Sequence, residues 1–182
     1  MTQSNSINIG GFVDPSFSDY EGVASLVIFT RGCTVGCQYC QNKYLQSGES
    51  MMSCGDVKDK IDRTLCRAIV FSGGEPLQQA APLLELVKHA RSRGKLVSIQ
   101  TSGIFSIHDS LVAGMVLDLA DKILLDIKDY TGPRFVQNWA DVIYNTFPEK
   151  TQLRVTSGPG VSELFLDRIS KRYPGIRIVN AE

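Results

Sequence analysis

The sequence predicts an α/β protein, folded as an open, incomplete (β/α)6 barrel of parallel strands. The chain has 182 residues, which suits one domain but falls short of the roughly 250 residues of a full eight-unit barrel. Short apolar runs alternate with longer amphipathic ones along its length, the pattern of a parallel α/β fold. No repeat, low-complexity tract or linker divides it, so we expect a single domain over residues 1–182.

The elements follow from these runs in chain order. The short runs are rich in Val, Ile and Leu, as expected of strands buried in a parallel sheet, and they predict strands at 24–30, 68–72, 96–101, 122–127, 151–156 and 176–179. An apolar stripe ended by Gly94 predicts a helix at 79–93, and the run before Pro174 predicts another at 161–172. Region 106–120 is a third helical candidate. The carboxyl ends of the strands are where such folds carry their chemistry.

Composition limits the possible partners. Hydrophobic residues make up 43% and charged residues 21% of the chain, with a formal net charge of +0. A neutral globular protein has no broad attraction for polyanions, so we expect neither a nucleic-acid nor a membrane partner. The amino terminus lacks a basic stretch followed by an apolar run, and no segment approaches about 18 uninterrupted apolar residues. We therefore expect a cytoplasmic protein.

Three of the five cysteines lie directly after the first predicted strand. Cys33, Cys37 and Cys40 form a C-x₃-C-x₂-C pattern in a glycine-bearing loop. Three thiolates serve three irons of a [4Fe–4S] cubane and leave the fourth open to a small molecule, which implies catalysis. The alternative is a structural zinc site completed by Cys54 or a histidine. Cys54 and Cys66 are otherwise predicted to be unligated thiols.

Polar residues follow four of the later strands. Strand 68–72 runs into Gly73-Gly74-Glu75-Pro76, and strand 96–101 ends in Thr101-Ser102. Asp126 and Lys128 are two residues apart and share one side of strand 122–127. Arg154 shares a face with Thr156 and is suited to anchor a carboxylate. Each group also has a purely structural alternative. Gly73-Gly74-Glu75-Pro76 would be a turn that opens a helix at Pro76, and Thr101-Ser102 a polar turn. Asp126 and Lys128 would lie at a strand end in solvent, and Arg154 would be an exposed arginine on an edge strand.

The cysteine spacing with an aromatic residue before the last cysteine, C-x₃-C-x-aromatic-C, resembles the signature of the radical S-adenosylmethionine (SAM) superfamily. Tyr39 is the matching aromatic residue, which in that family lies beside the SAM adenine, and Gly73-Gly74-Glu75-Pro76 resembles the family's GGEP motif, which contacts the SAM amino group. The resemblance implies a [4Fe–4S] cluster on Cys33, Cys37 and Cys40 and SAM as the second cofactor. With the strand ends, it predicts SAM contacts from Tyr39, Gly73, Gly74, Glu75, Thr101, Ser102, Asp126, Lys128 and Arg154.

Within that superfamily, the sequence is most similar to glycyl-radical-enzyme activating proteins of the anaerobic ribonucleotide reductase type. The stretch 124–128 resembles their Leu-Asp-x-Lys segment, and segments 9–12, 19–22 and 29–33 also match, so that the resemblance covers about residues 9–156. It implies that a glycyl radical is generated on a partner enzyme, with electrons from an external low-potential donor. The alternative within the superfamily is a small-molecule substrate, as in the 7-carboxy-7-deazaguanine synthases.

The sequence departs from the family pattern at two places. Gln100 stands where members commonly have Asp, and Gln41 where His often follows the third cysteine. These departures leave open whether a cation site exists and to which subfamily the chain belongs. His108 and Trp139 match no family position, and we expect a histidine at a helix start and a packed indole.

Overall fold

The computed structural model describes residues 5–129, 136–158 and 161–180. Its strands are short and lie between helices along the chain. They span Ser6–Ser16 (β1), Ser25–Thr30 (β2), Met51–Ser53 (β3), Ala68–Gly73 (β4), Leu96–Thr101 (β5), Ile104–Ser106 (β6), Lys122–Ile127 (β7), Val136–Asn138 (β8), Thr151–Ser157 (β9) and Arg177–Asn180 (β10). The helices are Cys54–Arg63 (α1), Ala80–Ser92 (α2), Ser110–Leu119 (α3), Ala140–Thr146 (α4) and Glu163–Arg172 (α5).

The strands form one large open sheet. Among the described residues its order is β10-β9-β7-β5-β4-β2-β1-β3, with every neighbouring pair from β2 to β10 parallel. β3 and β10 are its edges, so the sheet does not close on itself. This confirms the predicted α/β class and incomplete barrel. The six predicted strands are β2, β4, β5, β7, β9 and β10, each within one residue of its predicted bounds.

The amino-terminal β1 was not predicted. It runs antiparallel to β2 and pairs on its other side with β3. Its register with β2 shifts between Ile9 and Gly11, so the alternation of apolar residues that marks a strand is broken at Gly10-Gly11. β1 extends the parallel sheet on the side of the cysteine loop.

Two helices, α3 and α1, differ from the prediction. Prediction placed a helix at 106–120, but α3 begins only at Ser110, because Ile104–Ser106 pairs with β8 and a 3-10 turn follows. α1 was not predicted, since its apolar face is sparse: Val57 and Ile61 are buried among charged residues. The Ser53 hydroxyl caps α1 by accepting the Asp56 N–H at 3.0 Å.

The two faces of the sheet have opposite character. Alternate residues such as Phe71, Ile99 and Leu125 join the helices in a continuous apolar core. Their neighbours on the other face are largely polar, for example Gln100 and Arg154. We call this second side the lumen face. Because side chains alternate along strands, one apolar face and one polar face follow from the sequence period.

No helix in residues 5–129, 136–158 and 161–180 is long and apolar enough to cross a membrane.

Candidate active site

The cysteine loop leaves the carboxyl end of β2 and is closed at its base by backbone hydrogen bonds. Gly32 N–H donates to the Leu45 carbonyl at 2.8 Å, and Cys33 N–H to the Gln46 carbonyl at 3.1 Å. The Gln46 side chain donates to the Cys37 carbonyl at 3.3 Å. These bonds fix both ends of the loop, so its shape does not depend on the identity of most of its side chains.

Arg31 ties down the returning arm of the same loop. Its Nη1 donates to the carbonyls of Tyr44 at 2.6 Å and Ser47 at 3.0 Å. Its backbone N–H donates to the Asn8 carbonyl of β1 at 2.9 Å. The loop is thereby held against the strand that sequence reasoning missed.

The three predicted cysteines line one wall of a pocket of about 320 Å³. Burial raises the pKa of the Cys33 thiol, and nearby backbone N–H groups of Val35 and Gly36 oppose that rise. Burial also raises the pKa of Cys37, against the opposing charge of Lys128. Half-buried thiols around a shared space are suited to bind a metal centre, which takes them as thiolates.

The geometry favours a cluster over a single ion. A structural zinc ion needs four ligands at about 2.0–2.3 Å, and the described lining of the pocket contains three cysteines and no histidine. Cys54, the proposed fourth zinc ligand, is fully buried at the start of α1 and does not line the pocket. Each iron of a cubane takes its own thiolate, so cysteines spread around a cavity fit a [4Fe–4S] cluster.

The two glycines after β4 bring its carboxyl end against the cysteine loop. Gly74 N–H donates to the Thr30 carbonyl at 2.9 Å. A Cβ at Gly73, whose φ is +116°, would lie 2.3 Å from the Thr30 carbonyl oxygen, and one at Gly74 would lie 2.1 Å from the Gly32 carbonyl oxygen. Only glycine permits this backbone contact. Both glycines line the pocket, as predicted for a ligand that approaches the backbone.

Glu75 lies behind the pocket wall. It is 1% exposed, and its Oε1 accepts the Thr101 hydroxyl at 2.6 Å and the Leu77 N–H at 3.1 Å. Its Oε2 accepts the Ser102 hydroxyl at 2.6 Å and the Ser102 N–H at 2.8 Å. Burial raises its pKa, and the bonds from Ser102 and Thr101 oppose the rise. Glu75 thus braces the ends of β4 and β5, while its predicted direct contact with SAM stays a prediction.

A charged cluster forms a second wall of the pocket. Arg154 donates to Asp126 Oδ2 from Nε at 3.0 Å and Nη2 at 2.8 Å. Lys128 Nζ lies 3.0 Å from Asp126 Oδ1, and the Thr156 hydroxyl donates to Oδ2 at 3.1 Å. One carboxylate thus holds two cations, so the cluster carries a net positive charge toward the pocket. Lys128 also lies 5.4 Å from the Tyr39 ring centroid, which connects the two walls.

The structure brings the other predicted residues to the same pocket. Thr101 and Ser102 line it, as does Tyr39, whose pKa is raised by burial. His108 and Trp139 do not line it: His108 is in a short 3-10 turn, and Trp139 stacks on Phe105 with ring centroids 5.9 Å apart.

Sequence reasoning missed a chain of polar side chains that lines the pocket. The Ser72 hydroxyl donates to Gln100 Oε1 at 2.9 Å, and the Gln100 amide donates to Asp19 Oδ1 at 3.4 Å. Ser16 holds the second oxygen of Asp19 at 2.5 Å. The resemblance at segment 19–22 was the available signal, but it assigned no role to Asp19.

Comparison with known proteins agrees with this geometry. A putative glycyl-radical enzyme activating enzyme of Methanocaldococcus jannaschii is 34% identical over 122 residues, which are 66% of this chain and 50% of that protein. A 7-carboxy-7-deazaguanine synthase of Hyperthermus butylicus is 33% identical over 87 residues, 47% of this chain and 37% of that one. The chain thus spans half or less of the length of these relatives.

A solved structure has a similar fold. QueE from Escherichia coli superimposes with a TM-score of 0.56 at 18% identity, covering 96% of this chain and 93% of that one. Residues 27–165, from β2 into α5, match the Radical SAM superfamily. The chain therefore belongs to the radical SAM superfamily, whose members use a [4Fe–4S] cluster and S-adenosylmethionine.

Proposed function

We propose that this radical SAM enzyme generates a glycyl radical on a partner enzyme, a proposal supported by its similarity to the putative glycyl-radical enzyme activating enzyme of Methanocaldococcus jannaschii. The pocket, lined by three cysteines and by the cations Lys128 and Arg154, supports radical SAM chemistry. The observation that supports a glycyl-radical enzyme as the partner is the similarity to activating enzymes. We further propose that the chain works as one domain in the cytoplasm and takes electrons from an external low-potential donor.

In this proposal different walls of the pocket bind the cluster and SAM. Cys33, Cys37 and Cys40 bind three irons of the cluster. The cluster and SAM together supply a one-electron cleavage of SAM that yields a 5′-deoxyadenosyl radical. The backbone of Gly73 and Gly74, which lines the pocket, would hold the SAM amino group.

The remaining residues orient SAM. Lys128 and Arg154 keep donors free for the SAM carboxylate, because Asp126 fixes them in place without neutralising both. The Ser102 and Thr101 hydroxyls are set in position by Glu75. Tyr39 offers a flat ring to the adenine. Holding SAM between two walls excludes water from the reacting atoms.

A second candidate is a radical SAM enzyme that acts on a small molecule. Similarity to the Hyperthermus butylicus 7-carboxy-7-deazaguanine synthase favours it. Turnover of a tetrahydropterin without any protein partner would decide for this candidate. Membership of the radical SAM superfamily, whose members use a [4Fe–4S] cluster, argues against the alternative of a non-catalytic domain stabilised by a structural zinc site.

The test begins with electron paramagnetic resonance of anaerobically reconstituted, dithionite-reduced protein. A reduced [4Fe–4S] signal that changes when SAM is added is expected. A glycyl-radical doublet after incubation with a candidate partner enzyme would support the leading proposal. A SAM-responsive cluster that produces no glycyl radical with any plausible partner would refute it and leave the small-molecule candidate.

Two cysteine variants make a matched pair. Cys37→Ser removes a proposed cluster ligand, and we expect loss of the SAM-responsive signal. Cys54→Ala removes a thiol that is 0% exposed in the core and does not line the pocket, so the signal should persist. A SAM-responsive signal that persists in Cys37→Ser would contradict the assignment of Cys37.

A further inference from the structure

Two polar side chains outside the cysteine-lined pocket join the parts of the chain that form it. Asn8 lies on β1, and Gln79 ends the short 3-10 turn Pro76–Gln79 that follows Gly73-Gly74-Glu75. The two residues are 71 positions apart in the sequence, and both are half-buried. Neither lines the pocket, so any role that they have in the site is exerted through other residues.

The Gln79 amide binds three backbone groups. The Asn8 N–H donates to Gln79 Oε1 at 2.7 Å, and Gln79 Nε2 donates to the carbonyls of Asn8 at 3.1 Å and Arg31 at 3.2 Å. A side-chain NH₂ has two N–H donors, so both are used and the amide is fixed in one orientation. Arg31 comes two residues before Cys33. Gln79 therefore holds the arm of the chain that enters the cysteine loop.

The Asn8 side chain holds the arm that leaves the loop. Its Nδ2 donates to the Gly48 carbonyl at 3.0 Å, and its Oδ1 accepts the Ser50 N–H at 2.8 Å. The Asn8 carbonyl also accepts the Arg31 N–H at 2.9 Å. Asn8 is thus bonded to both arms of the loop and, through Gln79, to the turn that follows the two glycines.

Backbone hydrogen bonds fix the base of the loop relative to the two glycines. The Glu75 N–H donates to the Gly32 carbonyl at 2.8 Å, just before the first cysteine. In the described part of the chain, the arm at 41–50, after the last cysteine, makes no backbone hydrogen bond to residues 73–79. The Asn8–Gln79 pair links these two segments.

We infer that Asn8 and Gln79 are positioning residues, which keep both arms of the cysteine loop at a set distance from Gly73 and Gly74 and thereby align the cluster with SAM. The loop carries the cluster ligands and the glycine backbone would hold part of SAM, so a shift of either segment misaligns the two. In a well-aligned site, a misplacement of about 1 Å can cost about a hundredfold in rate. The inference rests on the proposed binding of the cluster and SAM, and it does not depend on which substrate the radical attacks.

The test is a SAM titration of the reduced cluster, followed by electron paramagnetic resonance. Gln79→Met removes all three hydrogen bonds, keeps a side chain of similar length and adds no charge near the cluster. We expect wild-type iron content, because the three cysteines and the backbone bonds at the base of the loop remain. The SAM concentration that gives half of the spectral change should rise about tenfold, as expected of a site misaligned by less than about 1 Å.

A second variant tests whether the two residues work as a pair. Asn8→Ala removes only the side-chain bonds to the arm that leaves the loop, and it should move the half-point in the same direction. Because each residue acts through the other, the double variant should shift the half-point by less than the product of the two single shifts. A shift equal to that product would overturn the inference that they act together.

Gln137→Met is the matched control, because Gln137 is exposed on β8 and lines none of the described cavities. It should titrate as the wild type does, and an equal rise in its half-point would overturn the inference. An unchanged half-point in Gln79→Met, even with a lower unfolding temperature, would show a purely structural role and refute it. Loss of iron from Gln79→Met would also refute it, since the pair would then serve cluster binding rather than alignment. A wild-type cluster that does not respond to SAM would instead refute the proposed cofactor binding on which the inference rests.

Discussion

Replacing Glu75 by Gln tests whether this buried carboxylate braces the site. Glu75 accepts four hydrogen bonds, two at each oxygen. A glutamine keeps one oxygen for one pair of donors, and its NH₂ then faces the other pair. If the oxygen stays with Ser102, the Thr101 hydroxyl can reverse and accept, but the Leu77 N–H is left without an acceptor.

The cost can be estimated from these contacts. A buried N–H left unpaired costs about 1–3 kcal/mol, and weakening the bonds that were made to a charge costs about another 1 kcal/mol. Burying the charge of Glu75 is itself unfavourable, as the raised Glu75 pKa shows. The substitution removes this cost, which offsets part of the loss in the free energy of unfolding. We expect the free energy of unfolding to fall by about 2 kcal/mol, together with weaker SAM binding because Ser102 is less firmly held.

Urea denaturation measures the first effect, with Glu149→Gln as the control, because Glu149 is exposed and makes no described ion pair or hydrogen bond. The slope of the transition should not change, since neither substitution alters the buried area much. If Glu75→Gln is as stable as Glu149→Gln and binds SAM as tightly as the wild type, the bracing role is wrong.

Three further outcomes follow from glycines and thiols. Gly74→Ala should lose most of its iron in a colorimetric iron assay, because its Cβ would lie 2.1 Å from the Gly32 carbonyl oxygen; full iron content would contradict the close contact. Gly114→Ala, where nothing lies within 4 Å of an added Cβ, should raise the free energy of unfolding by about 0.5–1 kcal/mol in urea, and no gain would argue against an unstrained helix there. In cluster-free protein, burial raises the pKa of Cys33 and Cys37, so iodoacetamide should modify both more slowly than free cysteine near pH 8 and faster as pH rises. Peptide mass spectrometry measures the modification rate of each cysteine. Rates equal to that of free cysteine would refute this prediction.

The parallel strands could be predicted because their short runs of Val, Ile and Leu are visible in the sequence itself. Runs such as 122–127 are apolar with few interruptions, and α/β proteins bury them whatever the details of packing. β1 could not be predicted in the same way, since the glycines at 10 and 11 break its alternation and its pairing with β2 is long-range. α1 was missed because Val57 and Ile61 are its main apolar contacts, too few to define a helical period.

The site residues could be predicted where they belong to recognisable sequence motifs. All three cysteines and the Asp126, Lys128 and Arg154 cluster line one pocket, as expected from the carboxyl ends of neighbouring strands. The position of Glu75 was not predictable, because only the packing of β5 shows that its carboxylate faces Thr101 and Ser102 rather than the pocket. The link from Asp19 to Gln100 spans 81 residues of sequence and leaves no local pattern.

The contact of Gly73 and Gly74 with Thr30 and Gly32 joins main chain to main chain. This contact does not depend on side chains and would persist when side chains elsewhere are substituted. The other half of the site, at the ends of β7 and β9, is built from side chains such as Lys128 and Arg154 and can be altered one residue at a time. A protein built this way can acquire new substrates through mutations in its last strands while the part that holds the metal stays constant.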